Sequence, residues 1–123
     1  MPKTVAVVGA STDRRKFGNR AVRAFLADGF TVIPINPGER EVEGQVAYAS
    51  VLDVPGPIDM ATVYVQPDVG MGLLDEFARK GIPEIWFNPG SESDALMAEA
   101  RKRGLNAIFA CSIIGHGRNP NDF

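Results

Sequence analysis

Residues 4–36 read TVAVVGASTDRRKFGNRAVRAFLADGFTVIPIN, and their pattern decides the fold. "TVAVV" (4–8) is short, β-branched and apolar on both faces, as a strand buried in a parallel sheet should be. A glycine and two small residues follow. "NRAVRAFLADG" (19–29) then places Ala21, Val22, Phe25 and Leu26 on one helical face and stops at Gly29. "FTVIPIN" (30–36) is a second strand, and Pro34 within it predicts an edge position or an irregular end.

The alternation continues to the end of the chain. Strands are expected near 61–65, 84–87 and 106–110, with a short extra one at "VAY" and a turn of helix in "SVLDVPGPID". Helices are expected over 69–81 and 91–104, the latter with a serine near its start as N-cap and Gly104 at its end. Strands alternating with helices of this length form right-handed βαβ units. The expected fold is one Rossmann-like domain over 1–123: a doubly wound, mainly parallel sheet of five or six strands with helices on both faces. The polar end, 117–123, reads as a loose tail.

Composition narrows the function. A chain of 123 residues allows one domain, and 45% hydrophobic residues allow it a real core. A net charge of −2 gives no general reason to bind nucleic acid or an anionic membrane. The chain has one cysteine, so it has no internal disulfide, and nothing at its start reads as an export signal. A cytoplasmic location is expected.

Ligands of open α/β sheets sit beyond the carboxyl ends of the strands. Here those ends are Gly9-Ala10-Ser11, Asn36-Pro37-Gly38, Val65-Gln66-Pro67 and Asn88-Pro89-Gly90. The first is a phosphate-type turn: hydroxyls at Ser11 and Thr12, a helix start behind them, and the cations Arg14, Arg15 and Lys16 at the mouth. It is not a dinucleotide fingerprint, because Ser11 stands where the second glycine belongs. The second strand ends in Asn36-Pro37, where an acidic residue would hold the ribose of NAD. The alternative readings are an NAD(P)-binding oxidoreductase, which these residues disfavour, or an accessory nucleotide-binding subunit. Cys111 reads as a small buried hydrophobe, His116 as a surface histidine in a mobile loop, and Trp86-Phe87 as core. No set of carboxylates is spaced for acid–base work or a metal.

Six stretches run in the order and spacing of a known family: "VVGAS" (7–11), "KFGN" (16–19), "VIPINP" (32–37), "EGQVAYASVLDVP" (43–55), "WFNPGSES" (86–93) and "ACSIIGH" (110–116). They resemble the small CoA-binding domain proteins, which are similar to the nucleotide-binding domain of the succinyl-CoA synthetase α subunit. The resemblance covers residues 4 to 116 and implies coenzyme A or a short acyl-CoA as ligand, with a protein partner left open. It implies that Gly9, Ala10, Ser11, Thr12, Arg14 and Lys16 hold the phosphates. Asn36 and Pro37 would line the adenosine side with Arg40 nearby, Val65 and Pro67 would flank the ligand, and Asn88 and Gly90 would follow the pantetheine. Glu39 stands where the synthetase pattern has a lysine. His116 matches the small-protein pattern and not the phosphorylated histidine of the synthetase's second domain. The resemblance therefore implies a carrier, sensor or regulatory module without chemistry of its own.

Overall fold

The computed structural model describes residues 2–123. Strands β1 (Thr4–Val8), β2 (Thr31–Ile35), β5 (Met60–Val63), β6 (Ile85–Phe87) and β7 (Ala107–Phe109) form one parallel sheet in the order β2-β1-β5-β6-β7. Register is continuous across it: Val8 pairs with Ile35 on one side and Val63 on the other, and Val63 pairs with Phe87. A two-residue hairpin, β3 (Glu41–Val42) and β4 (Gln45–Val46), stands outside the sheet. The "VAY" stretch supplies part of this hairpin and one parallel bridge from Tyr48 to Ile35. Strand β2 is at the edge, which is where Pro34 is tolerated.

Alternation along β1 divides the core. Val5 and Val7 face α1 (Phe17–Ala27) and α4 (Ser112–Gly115), in a cluster with Ala21, Val22, Phe25 and Ile113. Ala6 and Val8 face α2 (Pro67–Lys80) and α3 (Asp94–Lys102), in a cluster with Leu74, Phe77, Phe87 and Leu96. The fully buried phenylalanines Phe25, Phe77 and Phe87 each contribute about 1.5–3 kcal/mol by leaving water. Helix α1 forms because residues 18, 21, 22 and 25 make one apolar stripe. Ser93 caps α3 by accepting from the Leu96 N–H, and Gly81 ends α2 in the left-handed conformation.

Two expectations are corrected. The terminal residues are not loose. Pro120–Asp122 form a 3-10 turn, Arg118 donates to Asp28 at 2.6 Å, and Phe123 packs against the α1-side core. Nor is His116 a surface residue. It is half-buried among Phe25, Phe30 and Trp86, with centroids 5.3, 6.0 and 5.4 Å away. Its Nδ1 donates to the Ser112 carbonyl at 2.8 Å, since a carbonyl can only accept. Local polarity and two flanking glycines concealed contacts made by distant elements.

Candidate functional site

The strand order reverses between β1 and β5, and the loops diverge there to open a crevice. Three hollows run along this carboxyl edge. The central one is an open cleft of about 410 Å³ that includes Gly9, Ala10, Ser11, Lys16, Tyr64 and Gly90. Toward β2 lies a smaller hollow of about 180 Å³ with Pro37, Val65 and Val69 in its wall; it shares Gly9 and Asn36 with the cleft. Toward β7 lies an apolar pocket of about 270 Å³ walled by Phe17, Tyr64, Asn88, Pro89, Cys111, Ile114 and Pro120. It shares Phe17, Tyr64 and Pro89 with the cleft, so the three hollows adjoin one another along the edge.

Two glycines shape the cleft. Gly9 has φ +90°, and a β-carbon there would stand 3.0 Å from Val65 Cγ1 and 3.1 Å from the Tyr64 carbonyl carbon. Gly18 lets α1 start directly against the β1 turn, because a β-carbon on it would overlap the Gly9 carbonyl oxygen. No side chain caps the start of α1, whose N-cap is Lys16. Lys16, Phe17 and Gly18 line the cleft, which puts the first N–H groups and the dipole end of α1 at its wall. Ser11 is half-buried, and its Oγ accepts from the Asp13 N–H at 3.0 Å, which leaves its own hydrogen available.

The three cations of the mouth differ. Arg14 pairs with Glu43 at 3.1 Å. Arg15 pairs with Asp13 at 3.0 Å, and the side-chain and backbone hydrogen bonds from Arg15 hold the Asp13 carboxyl down to about 2. Lys16 has no acidic partner among the described residues and lines the cleft. The Glu43 contact is set by the hairpin turn, where Glu43 has φ +48° and also accepts from the buried Asn19 amide at 3.0 Å. That amide donates as well to the Ser11 carbonyl at 2.9 Å, so one asparagine ties helix, turn and hairpin together.

The two asparagines expected along the ligand are held by protein. Asn36 Nδ2 donates to the Ala10 carbonyl at 2.7 Å, and its Oδ1 accepts from the Gly38 N–H at 2.8 Å. It bolts the second turn to the first. Asn88 is buried, donating to Thr62 Oγ1 at 2.7 Å and the Val63 carbonyl at 2.9 Å while accepting from the Ser112 N–H at 2.8 Å. Ser112 Oγ bonds Thr62 at 2.7 Å and the Tyr64 hydroxyl at 3.2 Å. Burial pushes the Tyr64 phenol above its ordinary range, so the hydroxyl stays neutral.

Of the residues singled out in the sequence, Gly9, Ala10, Ser11, Lys16, Asn36 and Gly90 meet at the cleft, and Pro37 and Val65 at the hollow beside it. Asn88 enters the wall of the apolar pocket. Thr12, Arg14, Arg40 and Pro67 line none of the three; Pro67 instead opens α2 at its first position. Sequence reasoning placed Gln66 and Pro89 at ligand-facing strand ends without giving them a role, and it missed Phe17 and Tyr64. Their available signal was adjacency, since each sits beside a residue already named.

A doubly wound parallel sheet with an uncapped helix start, a glycine turn and hollows on both sides defines a nucleotide-type binding domain. The family profile described as "CoA binding domain" matches residues 3–117, and the chain belongs to that family. It is 27% identical over 115 residues to "Uncharacterized protein YneT" of Bacillus subtilis, covering 93% of this chain and 85% of that one. It is 36% identical to "Acetate--CoA ligase [ADP-forming] II" of Archaeoglobus fulgidus, over 99% of this chain but only 20% of the ligase. A hypothetical protein from Pyrococcus horikoshii has the same fold, with TM-score 0.86 and 31% identity over 94% of this chain and 82% of that one. The dinucleotide forming acetyl-coenzyme A synthetase 1 of Ca. Korarchaeum cryptofilum, solved with phosphate and ADP, matches with TM-score 0.77 and 32% identity. That match covers 89% of this chain and 26% of the synthetase. No helix among the described residues is long and apolar enough to cross a membrane.

Proposed function

We propose that this chain binds coenzyme A or a short acyl-CoA along the carboxyl edge of its sheet, as a cytoplasmic carrier, sensor or regulatory module without chemistry of its own. The observation that carries the reading is the row of three adjoining hollows, polar in the middle and apolar at the β7 end. CoA has the same order of parts: a nucleoside, a run of phosphates and a long uncharged arm ending in a thiol. The adenosine fits the hollow of Pro37 and Val65. The phosphates fit the Gly9-Ala10-Ser11 turn, with Lys16 as their cation and the α1 start as dipole. The arm passes Tyr64 and Gly90 into the apolar pocket.

The protein-bound state of Asn36 supports CoA over NAD. The β2 end carries an amide tied to Ala10 and Gly38 where NAD-binding domains place a carboxylate for the ribose hydroxyls. The ADP-forming ligases carry a similar region as a minor part of their length, which makes a protein partner for this chain a reasonable companion proposal. Titration calorimetry with CoA, dephospho-CoA, acetyl-CoA, NAD and NADP tests the ligand. CoA or acetyl-CoA should bind most tightly, and a ligand at 100 times its Kd should stabilise the fold by about 2.7 kcal/mol. Tighter binding of NAD than of CoA overturns the proposal.

A further inference from the structure

The pocket at the β7 end has more space than a terminal thiol needs: its 270 Å³ is many times the ~30 Å³ that one water occupies in the liquid. No charged residue is in its wall. The polar side chains that do border it already hold protein partners. Both hydrogens of the Asn88 amide go to Thr62 and Val63, its oxygen accepts from Ser112, and the Tyr64 hydroxyl is bonded to Ser112. Ring faces, aliphatic carbon and the Cys111 thiol remain. At its lip stand Phe17 and Ile114, large apolar side chains that are 50% and 62% exposed. Lys16 belongs to the neighbouring cleft, and Arg20, stacked over the Phe17 ring at 5.0 Å, is outside the lining.

We propose that this pocket takes the acyl group of a bound acyl-CoA and selects uncharged, apolar chains over both free CoA and dicarboxylic acyl groups. The inference rests on the CoA reading above, which puts the phosphates in the adjoining cleft and sends the arm this way. A hydrocarbon chain covers Phe17 and Ile114 and loses no hydrogen bond on entering. A carboxylate at the chain end enters a wall with no charged side chain, and burying it without a cation is costly.

Calorimetry with CoA and its acetyl, butyryl, hexanoyl and succinyl thioesters reads this directly. Each methylene that is fully buried should tighten binding by about fourfold until the pocket is full. Succinyl-CoA should bind at least tenfold more weakly than butyryl-CoA, the uncharged chain of equal carbon number. Ile114→Lys, a change at an exposed position, should flatten the chain-length dependence with the unfolding midpoint retained. Saturating butyryl-CoA should also slow alkylation of Cys111 by iodoacetamide, which locates the chain independently of affinity. Absence of CoA binding would remove the CoA reading and this one together. Binding of CoA with a flat chain-length series, equal affinity for succinyl- and butyryl-CoA, or an unprotected Cys111 would overturn the acyl pocket alone.

Discussion

The turn after β1 and the turn after β6 have similar composition and opposite uses. Gly9-Ala10-Ser11 and Asn88-Pro89-Gly90 are both short, rich in small residues and placed at the carboxyl edge. At the first, backbone and an uncapped helix start are left open, and the bonds that hold the turn come from outside it, from Asn19 and Asn36. At the second, Asn88 points inward and fastens β5, β6 and the start of α4 to one another. A ligand site needs unsatisfied groups at its surface, and a buried junction cannot tolerate any. The two turns therefore respond to substitution in different currencies, one in affinity and the other in stability.

Breaking the junction should have the largest effect. Asn88→Ala removes three hydrogen bonds and leaves the Ser112 N–H buried without its acceptor, so unfolding in urea should show a loss of about 2–4 kcal/mol. A variant of unchanged stability would mean that Asn88 is not the fastener. Next comes Gly18→Ala, which joins the two currencies. In an exposed helix that change would add up to about 1 kcal/mol of stability. Here the new β-carbon must displace the Gly9 carbonyl, so a loss of about 1–3 kcal/mol and of CoA affinity is expected together.

Changes confined to the open turn should leave the urea midpoint nearly unmoved. Lys16→Ala removes the unpaired cation of the cleft, and calorimetry should show CoA weakened by about tenfold, the equivalent of one charge-assisted bond of ~1.5 kcal/mol. Arg14→Ala should have the smallest effect. Arg14 is already paired with Glu43 and well exposed, so about 0–1 kcal/mol of stability and less than a threefold change in CoA affinity are expected. Equal losses from Lys16→Ala and Arg14→Ala would return the cations to a single undivided patch and erase the distinction made here.

Much of the architecture was legible because its signals are local. The β-branched run of β1, the apolar stripe of α1 and the glycine stops all act within a few residues of themselves, and the main strands and helices read from them agree with the structure to within about three residues at their ends, while α4 and the Pro120–Asp122 turn were not read. The site was legible in part. Glycines and strand ends mark where a ligand approaches, and Ser11, Lys16 and Gly90 were found that way. The burial of His116 among Phe25, Phe30 and Trp86 was not legible, since its partners come from three other segments.

What the sequence determined by itself is the order of strands and helices, and with it the edge at which a ligand must sit. Periodicity of 2 and 3.6 is written into consecutive residues, and the right-handed crossover follows from chain chirality. Only the tertiary structure decided which polar groups face that edge unspent. Arg15 has its partner Asp13 two residues away in the chain, but Arg14 and Lys16 are told apart only by the fold, which brings Glu43 to the first and leaves the second unpaired. Asn36 and Asn88 both end strands and both turn their amides to protein. A hydrogen bond or an ion pair is settled by partners that folding brings within about 3 Å, and separations of 24 to 29 residues along the chain carry no trace of that distance.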